Sequence, residues 1–147
     1  MPERLPRFLP VISQLEQRFK QTGFERVEAE SDEVPTLSED TAFQPIAIPD
    51  KLFGQQLIAW AEQQGAALNF KDAEFLQQRP RLLDRPDCKN RTIYFLGTQW
   101  RRQGVAYCLV LRSSNGGKSW SYRFDPLGGS NMRNCVVLKI EQPAQLD

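Results

Sequence analysis

The chain has 147 residues, 40% hydrophobic and 25% charged, which suits an ordinary globular domain, and it contains no histidine. That absence excludes Ser-His-Asp and Cys-His catalysis and the commonest zinc and haem ligand. The charge is divided: residues 1–75 hold 7 Lys+Arg against 13 Asp+Glu, a balance of −6, whereas residues 76–147 hold 12 against 5, or +7. A basic half inside a near-neutral protein points to a polyanion surface, or to one half pairing with the other.

The N-terminus opens Met1-Pro2-Glu3-Arg4, where a secretory signal would be apolar, and no segment approaches the roughly 18 apolar residues of a membrane span. Cys88, Cys108 and Cys135 are isolated and outside any Cys-x-x-Cys spacing. The expectation is a cytosolic protein with reduced thiols, no membrane contact, no metal and no cofactor. Leu5, Phe8, Leu9, Ile12, Leu15 and Phe19 recur every three or four residues, and the spacing predicts a helix over 8–20 that stops near Gly23. Residues 25–40 are rich in carboxylates, with Glu28, Glu30, Asp32, Glu33, Glu39 and Asp40, and read as an acidic connector. It is either a solvated linker or an arm that covers the basic half and competes with an external polyanion.

Asp50 is placed to cap a helix over 51–61 with a broad apolar face, and Gly65 fits its stop. A third helix over 72–78 ends before Pro80. Beyond it the period changes to two: residues 92–96, 105–112, 120–124 and 135–140 read as strands separated by Gly, Asn and Pro turns. The fold expected is α+β, one domain over 1–147, with a helical part over 1–80 packed on a C-terminal antiparallel meander of about four strands over 91–141.

Ser113-Ser114-Asn115-Gly116-Gly117-Lys118-Ser119-Trp120 resembles the Asp-box hairpin of sialidase-type propellers and some microbial ribonucleases. Ser113, Gly117 and Trp120 match, Ser119 replaces Thr, and Asn115 stands for the Asp. In those families the box is structural, so the resemblance implies a tied turn over a packed aromatic and carries no activity. A propeller needs the box repeatedly, and it occurs here once. The Gly117-Lys118-Ser119 tripeptide lacks the leading glycine and following helix of a P-loop.

Arg79, Arg81, Arg85, Lys89 and Arg91 precede the first predicted strand, and Arg101 and Arg102 follow Trp100. Guanidinium groups pair with phosphates and an exposed indole stacks on bases, so these eight residues form the expected nucleic-acid footprint of a non-enzymatic binding protein. The alternative is a small adaptor, inhibitor or complex subunit that binds another protein through aromatic and Arg side chains. No catalytic set is complete. Asp125, at a strand end beside a Gly-rich turn, would matter to an enzyme only in a pocket with Tyr107 or Tyr122 and a buried Arg.

Overall fold

Strands that are apolar on both faces belong in the interior of a covered sheet. Three segments of this kind, Ile93–Leu96, Cys108–Leu111 and Val136–Leu138, are buried throughout. In the computed structural model, which describes residues 14–27, 34–114, 118–129 and 131–141, they lie in β4 (Thr92–Arg102), β5 (Val105–Ser114) and β8 (Cys135–Ile140). With β2 (Phe43–Ala47) and β6 (Ser119–Pro126) at the edges, the sheet runs β2-β8-β4-β5-β6, and β1 (Glu25–Arg26) pairs with the far end of β4.

The four expected strands all form, but not as an antiparallel meander. β8 returns past β5 and β6 to lie parallel to β4, which makes the sheet mixed. The patterning explains the placement. In β6 the apolar Trp120, Tyr122 and Phe124 alternate with exposed Ser121 and Arg123, which suits an edge with one wet face; β8 has no such wet face along Val136–Leu138 and is interior.

Nor do the helices form one N-terminal block. α1 (Gln14–Gln21), α2 (Gln55–Gln63) and α3 (Phe70–Gln77) are interleaved with β1, β2 and β3 (Leu52–Phe53), which pairs with β7 (Gly128–Gly129). They cover both faces of the sheet. Leu15 and Phe19 of α1 and Phe70, Ala73 and Leu76 of α3 pack with Ile93, Phe95, Trp100, Leu109 and Leu111. Leu57, Ile58 and Ala61 of α2 pack on the opposite side with Tyr94, Leu96, Cys108, Val110 and Val137.

Asp50 does not cap α2. Its Oδ1 accepts the Met132 amide at 2.7 Å, Leu52 and Phe53 enter the small sheet, and the helix starts four residues later than expected, after Gly54. α3 has the stronger start, a capping box in which Asn69 and Asp72 satisfy each other's amides. The predicted start of the first helix lies outside the described residues, as do Glu28, Glu30, Asp32 and Glu33. The described end of the acidic connector is docked: Leu37 is buried, and the Thr36 and Leu37 amides donate to Asp72 Oδ1 at 2.6 and 2.8 Å.

Candidate nucleic-acid interface

The expected footprint comes apart on the structure. Arg91 precedes the first residue of β4, whereas Arg101 and Arg102 are its last two; the β5 partners of Thr92 and Arg101, Arg112 and Ala106, are six residues apart, a separation of roughly 20 Å at about 3.3 Å per residue. Trp100 is 0% exposed. Its ring lies edge-on to Phe19, Phe70 and Phe124 at 5.3–5.7 Å, so the expected stacking platform is a core residue and cannot receive a base. The cause is the bulge between Phe95 and Gln99, which breaks the alternation that places Tyr94 and Leu96 on the α2 face and turns Trp100 onto the α1/α3 face.

Most of the basic run before β4 is engaged internally. Arg79 Nε lies 3.6 Å from Glu39 Oε2, and Arg81 Nη2 pairs with Glu39 Oε1. Arg85 pairs with Asp87 at 2.9 Å and donates to the Phe43 carbonyl at 2.9 Å, and Lys89 pairs with Asp84 at 3.0 Å. At the other end of β4, Arg102 lies over the Phe24 ring at 5.1 Å and Arg101 faces Glu25 in the β1 register.

Strand register assembles a different group. Thr92 pairs with Arg112 across β5 and with Cys135 across β8, and its amide donates to the Asn134 carbonyl at 2.8 Å. Arg91, Arg112 and Arg133 therefore converge on one end of the sheet, within about two strand spacings of 4.8 Å. Arg123 stands one diagonal step away, because Arg112 pairs with Ser121. Arg112, Arg123 and Arg133 are exposed and Arg91 half-buried. Of the four, Arg123 pairs with a carboxylate, Asp125, whereas among the described residues Arg91 reaches only the neutral Asn134 at 3.5 Å. Linear spacing hides this group, since its members sit on four separate segments.

Beside it lies a polar network. Asp125 accepts Arg123 Nε at 2.8 Å, Arg123 Nη2 at 3.1 Å and the Tyr94 hydroxyl at 3.0 Å. Burial pushes the Tyr94 hydroxyl and the Cys135 thiol above their ordinary pKa values, with the Asp125 charge adding to both, so each stays protonated. The Tyr94 hydroxyl thus serves as a hydrogen-bond donor to Asp125. The phenol on Asp125 is Tyr94, not Tyr107 or Tyr122. Cys88 and Cys108 are fully buried, and burial pushes the Cys88 thiol up to about 11.

The hairpin suggested by the Asp-box resemblance is present in its flanks. Ser113 pairs with Trp120 and Ser114 with Ser119, whose hydroxyls are 2.7 Å apart, and Trp120 is buried. Asn115, Gly116 and Gly117 lie outside the described residues. No helix among the described residues is long and apolar enough to cross a membrane. Comparison with protein-family models, curated proteins and solved structures gives no match, so the functional reading rests on the geometry.

Proposed function

We propose that this chain is a non-enzymatic nucleic-acid-binding protein that holds a phosphate backbone on the basic end of its sheet. The observation that carries the reading is the convergence of Arg91, Arg112 and Arg133, none of them with a carboxylate partner among the described residues, next to Arg123. Planar guanidinium groups on and just before neighbouring strands suit successive phosphates. With Trp100 in the core, recognition rests on charge and not on base stacking, so binding is expected to be salt-dependent and tolerant of sequence. The competing protein-partner reading calls for a contiguous apolar patch. Among the described residues the large exposed apolar side chains are Val34, Phe53 and Val105, each on a separate segment.

Fluorescence anisotropy with labelled single- and double-stranded 20-mers tests the proposal. Duplex affinity should fall with salt at a log–log slope of about −3, from three or four neutralised phosphates. The double variant Arg112→Ala/Arg133→Ala should flatten that slope by about 2, while Arg101→Ala/Arg102→Ala leaves it in place. Absence of binding to either oligonucleotide at low salt, or an unchanged slope in the first double variant, contradicts it.

A further inference from the structure

Arg79 and Arg81 are held in a way that a solvated basic run is not. The Arg79 guanidinium lies 4.0 Å from the centre of the Phe75 ring and donates to the Phe75 carbonyl at 3.2 Å, which fixes its plane at the end of α3. Arg81 follows in the 3-10 helix Pro80–Leu83, whose first residue is a proline with restricted backbone freedom. Both point at one carboxylate, Glu39, with Oε2 towards Arg79 and Oε1 towards Arg81. These residues, with Gln78 and Pro80, line an open cavity of about 580 Å³.

The carboxylate is delivered by a braced segment. Asp72 pins the Thr36 and Leu37 amides, Leu37 is buried, and the next turn is closed by Ser38 N to Thr41 Oγ1 at 2.8 Å and Thr41 N to the Ser38 carbonyl at 3.1 Å. Glu39 sits at the tip of that turn. Two oriented arginines around an exposed carboxylate form an anion clamp whose occupant is supplied by the chain itself.

We infer that Arg79 and Arg81 are a second phosphate-binding clamp, which Glu39 closes as a tethered competitor of the nucleic-acid backbone. This rests on the reading of the chain as a nucleic-acid-binding protein and names its regulation. Tethering gives Glu39 a high effective concentration at the clamp, yet the contact is exposed, so an incoming phosphate can displace it. Its grip weakens as salt screens the pair, since the Debye length is about 10 Å at 0.1 M.

The test compares the full chain with Glu39→Gln, with Glu39→Gln/Arg79→Ala/Arg81→Ala, and with Glu62→Gln, which removes one exposed carboxylate from α2. The probe is a labelled 20-mer at low salt, with thermal melts confirming the fold of each variant. Glu39→Gln should bind about three- to fivefold more tightly than the parent, an exposed-pair effect. Glu62→Gln should gain less than twofold, and the triple variant should lose the Glu39→Gln gain. A parent that binds while Glu39→Gln gains no more than Glu62→Gln overturns the clamp and leaves the basic sheet end intact. A silent parent with a binding Glu39→Gln supports the clamp and removes the sheet-end reading. Silence from both overturns the two together.

Discussion

Asp72 shows how one buried carboxylate can organise a surface it never reaches. It is 0% exposed, yet it receives three backbone amides, from Thr36, Leu37 and Asn69, and so ties the end of the acidic connector to the first turn of α3. Burial raises its pKa, and those amides pull the other way. The folded value therefore lies above the unfolded value of about 3.9. The native state holds this proton more tightly, so the group's contribution to stability is greatest below about pH 4 and declines as pH rises through the raised folded value. Asp72→Asn should reduce that decline, seen as a flatter dependence of Tm on pH just above pH 4. Asp72→Ala, which strands three amides, should cost about 2–4 kcal/mol in a denaturant titration. Stability equal to that of the parent would show that the connector does not depend on this anchor.

At the scale of elements, β4 sets the geometry. Its pairing with β5 is regular from Thr92 to Phe95, skips Leu96, Gly97 and Thr98, and resumes at Gln99. The bulge is a docking point: the Gly97 amide donates to the Leu68 carbonyl at 2.8 Å, and Thr98 Oγ1 accepts the Phe70 amide at 3.1 Å. A Cβ on Gly97 would run into the Ala67 carbonyl oxygen and meet the Leu68 carbonyl at 2.8 Å. Gly97→Ala should therefore cost about 1–3 kcal/mol by overpacking, measured as a lower urea midpoint; an unchanged midpoint would mean that the Ala67–Leu68 loop moves aside freely.

The strands themselves were legible because alternation in Trp120–Phe124 and the apolar runs elsewhere are local signals. Strand order was not, since nothing local says that β8 passes two strands to lie beside β4. The start of α2 was misread because Asp50 has the composition of a cap but is used to hold Met132. The candidate site suffered most. Linear proximity grouped Arg79 to Lys89, which the fold pairs with Glu39, Asp84 and Asp87, and it missed Arg112, Arg123 and Arg133, which only register brings to Arg91.

For the whole molecule, the division into acidic and basic halves becomes a surface on which some cations are answered by the chain's own carboxylates and others are left open. Glu39 from the acidic half meets Arg79 and Arg81 from the basic half, whereas the sheet end carrying Arg91, Arg112 and Arg133 has no such cover among the described residues. Amide chemical-shift mapping reads directly where on this surface a polyanion sits. A 15N-labelled protein titrated with a short oligonucleotide at low salt should show its largest shifts at Arg91, Arg112, Ser121, Arg123 and Arg133. The β4–β5 hairpin around Arg101 to Val105 should stay near its starting positions. Shifts centred on that hairpin, or none anywhere at saturating oligonucleotide, would contradict the account.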